Sequence, residues 1–235
     1  MARLPRLVLP GLPHHIIQRG NNREPIVRHD GDRRAWRDIL ADVLAGHAVQ
    51  LHAYVLMDNH FHLLLTPPDA PSLSRMMQSL GRRYVGAHNA LHGRTGTLWE
   101  GRFKCSPIDT ETYFLACLRY VELNPVRAGI CATAQEHAWS SAQHHLGLRR
   151  DPLITEHALY WQLGNTPFER QQRHRESLEA GLSERQAVGI TQAALKGWAL
   201  GSPAFLLGRA QDTKRPLAPR PRGRPRKSAA QGESE

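Results

Sequence analysis

The chain has 235 residues, 40% of them hydrophobic, which suits one substantial domain plus an appendage or two small domains and excludes a wholly disordered chain. It holds no run of about 18 apolar residues, its opening apolar stretch is too short for a signal peptide, and Cys105, Cys117 and Cys131 show no Cys-x-x-Cys spacing; the expected place is the cytoplasm, with no membrane partner, no disulfide framework and no cysteine zinc site. The formal charge of +10 points to a polyanionic partner, nucleic acid first, but seven Lys or Arg with no acid lie within residues 214–227, so the rest of the chain carries only +3.

In chain order, His14 to Arg19 reads as a first strand closed by the turn residues Gly20-Asn21-Asn22. His14 and His15 are adjacent and face opposite ways, so only one of them can approach whatever lies on a given sheet face. Arg19, Asn21, Asn22 and Arg23 form a polar cluster at the strand end, suited to DNA phosphates or to solvent. Asp32 to about Val49 carries an apolar stripe at Ala35, Trp36, Ile39, Leu40, Val43 and Leu44, which predicts a packing helix.

Residues 49–66 read as two strands joined at Asp58-Asn59, and the second carries His60 and His62. Side chains alternate along a strand, so both imidazoles share one face while Phe61, Leu63 and Leu65 point into a core. Two neutral ring nitrogens fixed on a strand are half of a metal site.

Thr66-Pro67-Pro68-Asp69 breaks the strand, and Ser72 or Ser74 caps a long helix running to about Leu91, with Leu73, Met76, Met77, Leu80, Tyr84 and Ala87 as its core stripe. Arg75, Arg82 and Arg83 fall outside that stripe. The basic, glycine-rich loop His92-Gly93-Arg94-Thr95-Gly96 and the extended segment from Thr97 to Lys104, with Arg102 and Lys104, suit a passing phosphate backbone. Trp99 and Phe103 read as core side chains, or as platforms for bases.

The next helix starts at Asp109 or Thr110 and ends at Asn124-Pro125, because the residue before proline is pushed out of the helical region. Phe114, Leu118 and Val121 form its buried stripe. Tyr113, Cys117, Tyr120 and Asn124 recur on a neighbouring face. A phenol is a nucleophile that can attack a phosphodiester, and a carboxamide oxygen is a hard ligand that can complete a divalent site begun by two imidazoles. Periodicity alone does not choose between Tyr113 and Tyr120.

The stretch from Tyr54 through Met57-Asp58-Asn59-His60-Phe61-His62 to Leu65, the stretch Leu98-Trp99-Glu100-Gly101-Arg102-Phe103-Lys104, and the stretch from Arg119-Tyr120 through Asn124-Pro125 to Gly129 together resemble the REP-associated tyrosine transposases, relatives of the small HUH single-strand transposases. The similarity covers roughly residues 3 to 145. It implies an α+β fold, a ferredoxin-like or RRM-like antiparallel sheet with packed helices. It also implies His60, His62 and Asn124 as ligands of Mg²⁺ or Mn²⁺ and Tyr120 as the nucleophile, chosen over Tyr113 by the helix-end Tyr-x-x-x-Asn-Pro pattern. The four positions show no departure from the family pattern. The implied activity is cleavage and rejoining of single-stranded or hairpin DNA at repetitive extragenic palindromes through a 5′-phosphotyrosine link. Glu122 or Glu100 is a candidate base for the phenol. The rivals are a DNA-binding protein descended from such an enzyme without strand transfer, an HUH replication initiator and an unrelated metal hydrolase.

Beyond Ala132 helical segments are predicted at 139–145, 154–162, 168–180 and 184–196, and Ser183 to Phe205 can form a helix-turn-helix. The tail around Arg222-Gly223-Arg224-Pro225 has a disordered composition and resembles an AT-hook, whose core fits the minor groove of A·T-rich duplex DNA. The expected organisation is a catalytic domain at 1–131, a helical accessory region at 132–211 and a basic tail at 212–235, in a nucleoid-associated monomer or homodimer.

Overall fold

The computed structural model describes residues 5–219. Four strands, β1 (His14–Arg19), β2 (Gln50–Leu56), β3 (His60–Thr66) and β4 (Lys104–Pro107), form an antiparallel sheet in the order β2-β3-β1-β4. The alternation along β3 separates two cores. Phe61, Leu63 and Leu65 face α1 (Asp30–Gly46) and α2 (Ala70–Leu91), in a cluster with Trp36, Leu40, Tyr54, Met76 and Tyr84. Leu64, with Ala53 and Val55 of β2, faces α3 (Thr110–Glu122), whose Phe114, Cys117, Leu118 and Val121 fill the other side. This is the expected α+β architecture.

Several boundaries differ from the sequence pattern, each for a local reason. α1 begins two residues early because the His29 ring accepts from the Asp32 N–H and caps the helix. The cap of α2 is Asp69, whose carboxylate accepts from Ser72 N at 2.6 Å, ahead of the two serines. The extended segment expected from Thr97 shrinks to a single bridge between Gly20 and Trp99 followed by the four-residue β4, since Gly101 at φ +74° turns the chain. α3 stops at Glu122, and Asn124 opens a further helical turn, α4 (Asn124–Arg127), with Pro125 in the first-turn position that needs no N–H.

Past α4 come α5 (Ala142–His145), α6 (Ala158–Trp161), α7 (Pro167–Ala180), α8 (Glu184–Lys196) and α9 (Pro203–Gly208). The helix expected at 154–162 is reduced to one turn because Ile154 and Thr155 instead extend alongside Leu51. α7 and α8 each carry a capping box, at Thr166/Glu169 and Ser183/Gln186. α9 has six residues, none fully buried, with Phe205 and Leu206 packed against the cluster of Leu7 and Leu9, so Ser183 to Phe205 holds one long helix and a single short one rather than two full helices.

The C-terminal segments are built into the sheet domain. Ser140 bridges Val55, Leu200 bridges Ile108, and Ala187 and Ile190 of α8 join the core beneath α3. Residues 212–219 dock as well: Leu217 is buried with Leu7, Leu9 and Ala199, and Arg215 lies 5.3 Å from the Trp198 ring. The AT-hook-like Arg222, Gly223, Arg224 and Pro225 lie outside the described residues. Among the described residues no helix is long and apolar enough to cross a membrane.

Candidate active site

His60 opens β3 directly after the hairpin turn, and the Asn59 side-chain oxygen accepts from its Nδ1–H at 2.7 Å. That bond fixes the tautomer and leaves Nε2 with a free lone pair. His62, two residues on, is buried on the same face. Its Nδ1 lies 2.8 Å from His15 Nε2 of β1, with the two rings stacked 5.1 Å apart. Its Nε2 lies 3.2 Å from the Asn124 carboxamide.

Tyr120, one helical turn before Asn124, sets its ring edge-on to both imidazoles, 5.4 Å from His15 and 5.7 Å from His62. Its hydroxyl meets Thr191 Oγ1 of α8 at 2.9 Å. Thr191 donates its own proton to Ala187 O, so the Tyr120 O–H is the donor of that bond. The Arg127 guanidinium sits 4.6 Å over the Tyr120 ring. His60, His62, Tyr120 and Asn124 are thus brought together from β3, α3 and α4.

The electrostatics keep the imidazoles neutral. Burial pushes His15 down to about 3. Burial, with the Arg19 charge beside it, pushes His60 down to about 4, against a small opposing pull from Asn124. Burial first, then His15, His60, Arg19 and Arg127, hold His62 well below the ordinary histidine value. Neutral rings are what a divalent ion requires of them.

Neither candidate base reaches Tyr120. Glu122 stands two residues further along α3, on the far side of the helix, where its fully buried carboxylate accepts from His145 Nδ1 at 2.6 Å, His174 Nε2 at 2.7 Å and Ser141 Oγ at 2.6 Å. Burial acts to raise that carboxyl, but the two imidazoles outweigh it and hold Glu122 well below the usual carboxylate range. Glu100 is exposed, and its backbone N–H bonds Arg19 O at the end of β1.

The basic residues divide among several places. Arg19 is in register with His60 at the mouth of the site, and Asn21 is exposed in the turn that follows. Arg82 and Arg102 line a groove of about 780 Å³ with Arg6, Arg75, Trp99 and Phe103. Arg6 lies 3.6 Å over the Phe103 ring. Trp99 is both a wall of the groove and part of the core, against Phe61 and Tyr84. Lys104 lines an adjoining hollow with Arg215 and Lys196. Arg83 instead pairs with Asp42 of α1, and Arg94 lies in the loop past α2, its N–H bonded to Asn89 O.

Residues 9–124 match the family model described as transposase IS200 like. The chain carries a domain of the IS200-like transposase family. Among solved structures the chain is similar to a REP-associated tyrosine transposase bound to a REP hairpin, with a TM-score of 0.54 and 16% identity over 68% of this chain and 93% of that one. It is also similar to a Deinococcus radiodurans R1 protein assigned to the transposases, with a TM-score of 0.37 and 22% identity over 50% of this chain and 93% of that one. No curated protein matches it. The first of these likenesses shows that the sheet domain shares that protein's fold.

The sequence pattern did not reach His15, Thr191, Arg127 or Arg6 as members of these sites. For His15 the signal existed, since one of the two adjacent histidines had to face the His60 side. For Thr191 no local signal exists: it lies 71 residues from Tyr120 on a helix with ordinary amphipathic spacing.

Proposed function

We propose that the transposase cleaves and rejoins single-stranded or hairpin DNA, with Tyr120 as nucleophile and Mg²⁺ or Mn²⁺ held by His60, His62 and Asn124. The observation that carries this reading is the convergence of two neutral imidazoles, a carboxamide and a phenol from three chain segments. The donor set fits a divalent ion: His60 Nε2 carries the ring's lone pair on the side of Asn124, and turning the Asn124 amide over presents its oxygen to the space that His62 Nε2 faces. His62 Nδ1–H then donates to His15 Nε2, which orients the ligand from behind. When bound, the ion polarises the scissile phosphate and steadies the departing 3′-oxygen.

The residues supply the rest. The Tyr120 oxygen forms the bond to phosphorus as the P–O3′ bond breaks; the phenolic proton passes to water, and the departing 3′-oxygen takes a proton from water to end as a 3′-hydroxyl. The 5′-phosphotyrosine link conserves the bond energy, and reversal by a second 3′-hydroxyl rejoins strands. Arg19 and Arg127, flanking the imidazoles and the phenol, favour an entering phosphate. The groove lined by Arg6, Arg75, Arg82 and Arg102 contains no acid and lies on the other side of β1 from the imidazoles, suited to the flanking DNA backbone. A hairpin of repetitive palindromic type is the proposed substrate, by likeness to the protein solved with such a hairpin. The basic tail is assigned to A·T-rich duplex, and the cytoplasmic nucleoid is the proposed setting.

The test is incubation with Mn²⁺ and labelled single-stranded hairpins from the protein's own genome. A covalent adduct mapping to Tyr120 supports the reading. DNA binding without any adduct supports a non-cutting descendant instead.

A further inference from the structure

A second group of ligand-type side chains lies away from the transposition site, on the α1/α2 side of the sheet. His29 and Asp32 occupy the N-terminal turn of α1, and His88 and His92 stand one turn apart at the C-terminal end of α2. His92 Nε2 is 2.9 and 3.0 Å from the two Asp32 oxygens. His29 Nε2 is 3.9 Å and His88 Nδ1 4.0 Å from Asp32 Oδ1. The rings of His88 and His92 are 4.4 Å apart, and those of His29 and His92 5.3 Å. One ligand atom from each of His29, Asp32 and His92 fits within a 4.8 Å span. A tetrahedral ion with bonds near 2 Å sets its donors about 3.3 Å apart, so modest side-chain movement closes the set.

An orphaned buried imidazole points to an ion. His88 is 1% exposed, yet neither of its ring nitrogens has a hydrogen-bond partner, a costly state for a buried imidazole. Gly31 leaves room for the His29 ring to fold back over the helix start: a Cβ there would lie 2.9 Å from His29 Nδ1. The remaining Asp32 oxygen already accepts from Arg28 N at 2.7 Å, the outer support expected of a ligating carboxylate.

We propose that His29, Asp32, His88 and His92 form a structural zinc site. Three imidazoles and a carboxylate are a donor set for Zn²⁺ rather than for the oxygen-seeking Mg²⁺ or Mn²⁺. His29 exchanges its 3.3 Å cap bond from Asp32 N for coordination, and His92 exchanges its hydrogen bonds to Asp32 for a shared ion. The ion ties the start of α1 to the end of α2. The segment entering α1 is already held to the active-site hairpin, because Asp58 O accepts from Ile26 N at 2.6 Å and from Val27 N at 3.1 Å, and Tyr84 of α2 donates to Ile26 O at 2.6 Å. Zinc here braces the support behind His60.

The site is tested in full-length protein carrying His60→Ala and His62→Ala, so that the transposition site contributes no metal. After loading with Zn²⁺ and dialysis, one equivalent is expected by elemental analysis, and Co²⁺ in its place should give the intense visible bands of a tetrahedral centre. Adding His92→Gln should abolish both. His29→Ala, at a side chain half exposed, should also lose the metal, with circular dichroism confirming the fold. Gly31→Ala supplies no ligand and favours helix, yet should weaken zinc binding at least tenfold by displacing the His29 ring. Absence of retained metal in the parent background, or its full retention in His92→Gln and His29→Ala, overturns the proposal.

Discussion

Replacing Glu122 separates a structural role from a chemical one. Its carboxylate is the shared acceptor for α5 and α7, taking His145, His174 and Ser141 at 2.6–2.7 Å with no exposure to solvent. Glu122→Ala leaves two imidazoles and a hydroxyl facing a void, and the loss of one partner from a buried charged cluster costs about 3–5 kcal/mol. Glu122→Gln keeps the shape and one acceptor oxygen, so about 2 kcal/mol is expected. With a urea slope of about 2 kcal/mol/M, the Ala variant should unfold about 2 M earlier and the Gln variant about 1 M earlier. The pH dependence follows from the depressed carboxyl: its stabilisation is fully present above the unfolded value near 4.3 and is lost as pH falls below that. The gap between wild type and Glu122→Gln should therefore narrow below about pH 4. Equal urea midpoints at neutral pH would refute the structural reading. Unchanged stability with loss of the DNA adduct would make Glu122 a base for Tyr120 after all.

At the proposed transposition site, His60→Ala or His62→Ala should abolish adduct formation while leaving DNA binding largely intact; cleavage at the wild-type rate removes these residues from the site. His15→Ala should weaken Mn²⁺ affinity 10–100-fold without removing a ligand, measured as the Mn²⁺ concentration giving half-maximal cleavage; an unchanged requirement limits His15 to packing. Tyr120→Phe should fold and form no adduct, while Tyr113→Phe still forms one, read by mass spectrometry of the DNA-linked peptide; an adduct surviving Tyr120→Phe overturns the assignment. Truncation after Pro219 spares the docked Arg215 and Leu217 yet removes five basic residues, so duplex affinity should fall and depend less steeply on salt; identical salt slopes argue against a DNA role for the tail.

Much of the sheet domain was legible because its signals are local. The alternation around His60-Phe61-His62 placed both imidazoles on one face, and the stripe through Leu73, Met76, Leu80 and Tyr84 placed α2. Capping was harder to read, since Asp69 and His29 outcompeted nearby serines and the expected start through contacts that only the folded turn provides. Glu122 shows the limit more sharply. As a carboxylate two residues from Tyr120 it resembles a base, but two residues along a helix are about 200° around its axis, and its partners lie 19 to 52 residues away. The zinc ligands were invisible for a related reason: His29 and His92 belong to separate helices, and only the packing of α1 on α2 makes them neighbours.

The residue that accepts the Tyr120 hydrogen bond, Thr191, lies 67 positions beyond the last residue matched by the family model. The segment matched by the family model thus does not contain the hydrogen-bond partner of the proposed nucleophile. Tyr120 is 4% exposed under α8, so an incoming phosphate has to replace a contact made by the C-terminal arm. A relative with equivalents of residues 9–124 but another arm would lack Thr191 as the acceptor for this phenol. Swapping such arms between relatives is then a way to tune when the nucleophile is released without touching the metal ligands.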